Sequence, residues 1–312
     1  MACYSVYLET ADDGRCMAHV PDLPGCFVRA PTRDEALSGV LEAILEHLDW
    51  LRRHGEPVPS AEESFEFKIA GESRGYGPFD RRSAAALFPP DWESITPKEV
   101  ARHFRLMAYA RADLLALVRD LPDEVLDWQP DPQSFNIRRL LRHVGNAEKW
   151  YVSRIVPPET LPPEWERDKD LAPLSIIEFL EMTRRTAVAR LERLTEEERA
   201  DVFYPVGWTD HPDEPWTARK VLRRFLEHER EHTRQVQGIL TAWRAHLLAR
   251  LAAELLFRRV ASPAPDRRKK SPGLCTKTSL LCLRPRCNKI PGCCKLCRAC
   301  CKARRAQQTT YQ

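Results

Sequence analysis

Cysteine is scarce in most of this sequence. Of 11 cysteines, only Cys3, Cys16 and Cys26 precede residue 258, so this part of the chain offers no disulfide framework. No apolar run approaches the ~20 residues that a membrane-spanning helix needs. Residues 1–10 also lack the basic start and the apolar stretch of a signal peptide. These absences predict a protein of the reducing cytoplasm that makes no contact with a membrane.

Excess positive charge is also lacking before residue 258. The 312 residues carry a formal net charge of +4, from 49 Lys and Arg against 45 Asp and Glu. The tail, residues 258–312, holds 15 of these bases and one acid, so the body, residues 1–257, keeps 34 bases and 44 acids. The body is therefore near −10 and the tail near +14. An acidic body has no electrostatic basis for binding a nucleic acid backbone, so nucleic acid is not an expected partner.

The first 70 residues have the pattern of a small sheet with one helix. Because 43% of the chain is hydrophobic, it can form compact cores. Three segments separated by turns rich in Asp, Gly and Pro alternate as strands do: residues 4–9, 16–20 and 26–30. Thr32 and Glu35 form a capping box that opens a helix, and a fourth alternating segment follows at residues 65–69. The order β-β-β-α-β predicts an α+β domain over residues 1–70, with the helix covering one face of the sheet.

Beyond this domain the periodicity becomes helical. Residues 71–95 are rich in Gly, Pro and Arg and are interpreted as a linker. Four amphipathic segments then follow, at about residues 96–119, 134–155, 175–194 and from 216 onward. A long proline-rich connection joins the second segment to the third. Residues 96–257 are therefore predicted to form an all-α antiparallel four-helix bundle with one crossover.

Histidines on two of the predicted helices indicate metal binding. His228 and His232 are four residues apart, so both imidazoles leave one helix face a turn apart and can bind one ion. They continue the apolar stripe of Val221 and Phe225, which indicates that they face the bundle. His143, in the middle of the second predicted helix, can supply a third ligand from a facing helix.

Three imidazoles narrow the kind of ion and its chemistry. They favour zinc, nickel or iron over magnesium or calcium, and they leave at least one position for water or substrate. An ion with an open position can lower the pKa of a bound water or thiol toward neutrality. The alternative is an ordinary solvated histidine pair, because charged residues surround both histidines in residues 227–232.

Other side chains near the histidines are candidate parts of a pocket. Asn146, close to one turn beyond His143, could orient an imidazole or a metal-bound water. Four aromatic residues could form the pocket wall or simply belong to the core: Trp150, Tyr151, Trp208 and Trp216.

The helical region resembles a known family of metal proteins. Leu140-Leu141-Arg142-His143 and Glu148-Lys149-Trp150-Tyr151 on the second helix, with His228-x3-His232-x2-Gln235-Val236 on the fourth, are similar to the triad motif of the DinB-like superfamily. The resemblance covers about residues 96–243. It implies a four-helix fold, a divalent metal bound by His143, His228 and His232, and a homodimer. For characterised members it implies transfer of low-molecular-weight thiols such as mycothiol or bacillithiol, and it implies no DNA polymerase activity.

This resemblance leads to the first functional hypothesis. The metal would bind a low-molecular-weight thiol as thiolate, and that thiolate would attack a small electrophile, so the chain needs no catalytic cysteine. The hypothesis describes a cytoplasmic bacterial metalloprotein. It would be a metal-dependent thiol S-transferase or hydrolase with a small-molecule substrate.

The N-terminal region resembles a second family. Ala18-x-Val20-Pro21-Asp22-Leu23-Pro24-Gly25-Cys26, then Thr32-x2-Glu35-Ala36 and Gly55-x-Pro57-x-Pro59, are similar to the HicB-type antitoxin fold over about residues 3–60. The resemblance implies a protein partner, since family members bind a small ribonuclease toxin and many add a DNA-binding module. Here a helical bundle occupies the place of that module. The second hypothesis is therefore an antitoxin-like partner-binding protein whose bundle is structural or mediates dimerisation. A recruited module that senses a partner is the remaining alternative.

The tail holds the other eight cysteines. Cys282-x4-Cys287 and Cys293-Cys294-x2-Cys297-x2-Cys300-Cys301 have spacings that zinc knuckles use. The segment, however, lacks histidine, and its apolar residues follow neither a strand nor a helix period. Its composition also changes abruptly from that of the body. These features favour a disordered basic Cys-rich extension over residues 258–312.

Overall fold

The computed structural model describes residues 2–59, 64–75, 86–157, 160–161, 165, 174–205, 207 and 209–261. Residues 1–257 form one compact unit. The expectation for the tail lies outside the described residues beyond Ala261. None of the helices among the described residues is both long and apolar enough to cross a membrane.

The N-terminal residues form a four-stranded mixed sheet. Its strands are β1 (Ala2–Thr10), β2 (Cys16–His19), β3 (Phe27–Ala30) and β4 (Phe65–Arg74), in the spatial order β3-β2-β1-β4. Strands β1, β2 and β3 are antiparallel neighbours, whereas β4 pairs with β1 in parallel. The turns before β2 and β3 contain Gly14 and Gly25, with φ of +86° and +87°, a region that glycine enters without a Cβ clash. The predicted β-β-β-α-β layer is confirmed.

The single predicted helix of this layer is divided in two. Helix α1 (Arg33–Ser38) begins at Thr32, whose side chain accepts a hydrogen bond from the Glu35 backbone. Helix α2 (Val40–Arg53) begins after Gly39. A Cβ at Gly39 would stand 3.1 Å from Val28 Cγ1, so the break falls where the chain passes closest to the sheet. Helix α2 buries apolar side chains in the main core: Val40, Ile44, Leu48 and Leu51. We call β1–β4 with α1 and α2 the sheet layer.

Helices account for the rest of the described body. A short 3-10 helix (Pro89–Trp92) precedes α3 (Pro97–Val118), α4 (Asp123–Leu126), α5 (Ile137–Val152), α6 (Ile176–Leu191), α7 (Glu196–Ala200) and α8 (Ala218–Ala261). The long helices α3, α5, α6 and α8 correspond to the four predicted segments. Thr96 and Glu99 form a capping box at the start of α3, and Asn136 caps α5 by accepting from the Arg139 backbone.

A buried ion quartet links the four long helices. It has one member on each: Arg111 on α3, Glu148 on α5, Arg184 on α6 and Glu229 on α8. Arg184 Nη2 donates to Glu148 Oε1 and to Glu229 Oε2, both at 2.7 Å, and Arg111 bonds to the same two carboxylates. All four side chains are at most 11% exposed. Because each arginine bridges two helices, the quartet fixes the positions of α5 and α8 relative to each other.

A second buried ionic cluster joins the sheet layer to α8. His19, on β2, has its Nε2 at 3.3 Å from Glu9 Oε2 and its Nδ1 at 3.0 Å from Glu227 Oε1. Arg223 lies 3.3 Å from Glu227 Oε2 and donates to Asp91 Oδ2 at 2.8 Å. His19 has no exposed surface. A protonated His19 therefore compensates two carboxylates that water does not reach.

This cluster predicts a pH dependence of stability. Burial alone would lower the pKa of His19, but the charge of Glu227, its hydrogen bond with His19 and the nearby Glu9 carboxylate outweigh it, so the pKa is raised. A raised folded-state pKa adds stability that is complete below the unfolded value of about 6.5 and is lost as the pH rises through the folded value. The stability advantage of wild type over His19→Asn should therefore shrink from about pH 6 upward. Urea unfolding of both proteins measures it, and parallel pH profiles would contradict the prediction.

Candidate metal centre

Three imidazoles converge between α5 and α8. His228 Nε2 lies 3.1 Å from His143 Nε2 and 2.9 Å from His232 Nε2. The helical repeat of α8 puts His228 and His232 on one face, and α5 brings His143 opposite them. These three form the one group of His, Cys, Asp or Glu side chains in the described part of the chain whose ligand atoms could hold a metal ion. The predicted triad residues are thus brought together in space.

The hydrogen bonds of the triad fit a cation. His232 Nδ1 lies 2.8 Å from Gln235 Oε1, an acceptor, so the proton of His232 is on Nδ1 and its Nε2 carries a lone pair. If His228 Nε2 carries a proton, that proton can serve only one of the two neighbouring Nε2 atoms. If it carries none, its lone pair faces the lone pair of His232 Nε2. In either case one of the two contacts is not a hydrogen bond. A divalent ion would accept all three lone pairs. Ligand atoms on a tetrahedral zinc lie roughly 3.3 Å apart, near the observed separations.

Burial favours the neutral, metal-binding form of two of the imidazoles. Burial lowers the pKa of His228 well below its usual value, and the neighbouring His232 and His143 lower it further. Burial likewise lowers the pKa of His232. Neutral imidazoles are available as ligands without first losing a proton, so metal binding need not compete with protonation near neutral pH.

The triad is open on one side and closed on the other. His143 is exposed, His228 is half-buried and His232 is 7% exposed. The Tyr151 ring stands edge-on to His228, with 5.7 Å between ring centroids, and closes the inner side. The Phe135 ring lies 6.4 Å from that of His143 at the open side. A small molecule would therefore approach the triad past His143.

The candidate pocket residues have different positions. Tyr151 contacts the triad, and Trp150 and Trp216 contact Tyr151, at centroid distances of 5.3 and 6.1 Å. Trp208 lies outside the described residues. Asn146 is exposed, as His143 is, and its role stays a prediction, whereas Gln235 contacts His232. The spacing of three residues after His232, on the same helix, was the sequence signal that could have identified this contact of Gln235.

A separate cavity of about 620 Å³ opens between α3 and α6. Apolar side chains such as Phe104 and Leu115 line it, together with the quartet members Arg111 and Arg184. No triad residue lines this cavity, so it is distinct from the candidate metal centre.

Comparisons with known proteins agree with these two regions. The family model of the HicB-like antitoxin of bacterial toxin-antitoxin systems matches residues 4–74, and that of the DinB superfamily matches residues 106–236. UPF0150 protein Ta0767 of Thermoplasma acidophilum is 40% identical over 62 residues, which cover 90% of that protein and 19% of this chain. An uncharacterized 14.9 kDa protein in the rep-hol intergenic region of Haemophilus phage HP1 is 34% identical over 58 residues, 43% of its length.

One solved structure is also similar. YfiT from Bacillus subtilis is described as a probable metal-dependent hydrolase with an unusual four-helix bundle topology. The similarity covers 47% of this chain and 89% of YfiT, with 18% sequence identity and a TM-score of 0.35. The two family matches confirm both resemblances seen in the sequence. Residues 4–74 therefore match the HicB-like antitoxin family, and residues 106–236 match the DinB superfamily.

Proposed function

We propose that His143, His228 and His232 bind one divalent ion of zinc, nickel or iron, and that the protein is a cytoplasmic metal-dependent enzyme acting on a small electrophile. The observation that carries the proposal is the convergence of three Nε2 atoms whose protons cannot satisfy all of their mutual contacts. The reaction is either hydrolysis or transfer of a low-molecular-weight thiol. Residues 96–257 would be the catalytic domain and residues 1–70 the core of a partner-binding domain. Of the predicted linker, residues 71–95, the first four belong to strand β4 and so to the partner-binding domain.

The side chains around the triad have defined roles in this proposal. A bound ion supplies Lewis acidity and holds a water or thiol deprotonated near neutral pH. Gln235 keeps the proton of His232 on Nδ1, so that Nε2 faces the site. The buried Tyr151 ring excludes water from the inner side of His228. The exposed side at His143 admits the substrate.

The test is a comparison of metal-loaded and chelator-treated protein. The eight tail cysteines are changed to serine so that they neither bind metal nor react. We expect the loaded protein to consume a low-molecular-weight thiol with an electrophile such as 1-chloro-2,4-dinitrobenzene, or to hydrolyse an activated ester. The chelated protein and His143→Ala should do neither, whereas His54→Ala, a histidine of the sheet layer, should remain active. Equal rates with and without metal would refute the enzymatic proposal.

A partner-binding function is the second candidate, and the match of residues 4–74 to the HicB-like antitoxin family favours it. Strand β4 is an edge of the sheet, and its side chains are mostly exposed. Edge strands can accept a further strand from another chain, either a partner or a second copy in a homodimer. Affinity purification of the tagged full chain should then retain one small basic protein in stoichiometric amount. Its absence, with the protein running as a monomer in gel filtration, would contradict this candidate.

A further inference from the structure

Helix α8 contacts the sheet layer along the turn that carries the triad histidines. At Gly25 a Cβ atom would stand 2.7 Å from Leu226 Cγ and 3.1 Å from Arg230 Cδ. Two turns beyond Leu226, the Arg234 guanidinium lies 5.1 Å from the centre of the Phe27 ring. Because only glycine permits such a close approach without displacing these side chains, the sheet layer is seated directly on α8 beside the candidate metal centre.

One carboxylate in this contact stands next to the triad. Glu231 lies between His228 and His232 in the sequence of α8, is 8% exposed, and accepts a hydrogen bond from Arg29 Nη1 of β3 at 2.5 Å. Burial is the first cause of the lowered pKa of both histidines, and the positive charge of Arg29 adds to it. The positive charge of Arg29, on β3 of the sheet layer, therefore acts on the triad histidines of α8.

The carboxylates near the triad have counter-charges. Glu227 contacts Arg224 within α8, with 2.8 Å between Arg224 Nη1 and Glu227 Oε2, in addition to His19 and Arg223. Glu231 obtains its counter-charge from Arg29, 202 residues away in the sequence. Without Arg29, Glu231 would lose the counter-charge that the structure shows for it, beside a site made of three neutral ligands, and a nearby negative charge stabilises a bound dication.

We propose that Arg29 of the sheet layer neutralises Glu231 and thereby lowers the affinity of the triad for a divalent metal. The sheet layer is then part of the metal centre, and the ion keeps more of its positive charge for the ligand in its open position. This inference rests on the proposed metal binding by the triad. The contact between the sheet layer and α8 would then tune metal affinity, which neither region could do alone.

The test is a double-mutant cycle on metal affinity. The probe is Zn²⁺, with Kd measured by chelator competition at pH 8.5, where the imidazoles are neutral, in the full chain with its eight tail cysteines changed to serine. Arg29→Ala should bind Zn²⁺ more tightly and Glu231→Gln more weakly, each by roughly tenfold at low salt. The double variant should return close to the wild-type Kd, and Arg29→Lys should resemble wild type. A merely structural role of the pair would instead weaken binding in both single variants.

The control is Arg33→Ala, which removes another arginine of the sheet layer that pairs with Glu72 at the surface. We expect no change in Kd. If wild type binds no Zn²⁺ at the triad, measured against His143→Ala, the proposed function itself fails. If wild type binds Zn²⁺ but Arg29→Ala binds equally or less tightly, only the role of Arg29 is overturned. If Arg29→Ala folds poorly, the Glu231→Gln variant decides. Unchanged or tighter Zn²⁺ binding by Glu231→Gln would also overturn the role of Arg29.

Discussion

The His228→Ala variant is expected to lose stoichiometric metal. His228 Nε2 is the central atom of the triad, within 3.1 Å of both other Nε2 atoms, so its removal leaves two imidazoles on different helices. Loss of a group that only orients a ligand costs roughly 10–100-fold in metal affinity, and loss of the ligand itself should exceed that. Elemental analysis after dialysis should give one ion per wild-type chain and almost none in the variant.

The control for this experiment lies on the same helix. His246 packs against the Trp243 ring, with a centroid distance of 5.8 Å, and is not part of the triad. His246→Ala should therefore retain one ion per chain. A His228→Ala protein that still purifies with one ion per chain would refute the triad as the metal centre.

Metal binding should also increase the stability of the folded protein. A ligand that binds only the folded state stabilises it by about 4 kcal/mol when present at a thousandfold excess over Kd. Zinc should therefore raise the free energy of unfolding of wild type and of His246→Ala, but not that of His228→Ala. An equal gain in all three proteins would indicate binding elsewhere.

The Arg184→Met variant is expected to lose about 3–5 kcal/mol in free energy of unfolding, as observed when one partner of a buried ion pair is removed. Arg184 compensates Glu148 and Glu229, and these carboxylates are 4% and 1% exposed. Methionine fills much of the same volume but leaves both acids with a single arginine. Chemical denaturation measures the loss.

A matched surface pair provides the control. Arg119, just beyond the end of α3, pairs with Glu181 on α6 at 3.4 Å, and both side chains are about half exposed. Exposed pairs of this kind contribute roughly 0–1 kcal/mol, so Arg119→Ala should leave stability nearly unchanged. Similar losses in the free energy of unfolding of Arg119→Ala and Arg184→Met would mean that burial does not increase the contribution of the quartet to stability.

Much of the fold followed from local patterns. Thr32 caps α1 at the predicted helix start, and the alternating segments of the first 70 residues became strands. The break at Gly39 was not predicted, because the apolar spacing continues through it. Its origin lies in the closeness of the sheet, where Val28 leaves little room for a Cβ. Periodicity reports which face of an element is buried but not how near the neighbouring element comes.

The candidate site shows the same division. The spacing of His228 and His232 determined that both imidazoles share a helix face, since 3.6 residues per turn is a local property of the backbone. That His143 meets them was an expectation based on its place in the bundle, and its function as a ligand stays a prediction. The role of Gln235 depends on which rotamers the packed helices leave open. The role that sequence spacing suggests for Asn146 stays a prediction.

The sequence by itself determined the elements, the acidic charge of the body and the pair of histidines on one helix face, because short-range hydrogen bonding and apolar periodicity fix these. Only the tertiary structure decided the long-range pairs: His19 with Glu227, Arg29 with Glu231, and the quartet that joins α3, α5, α6 and α8. Charged residues look alike in a sequence whether they meet water or each other. Packing of the tertiary structure excludes water and determines which charged residues meet. It brings Arg29 of the sheet layer next to the candidate metal centre between α5 and α8.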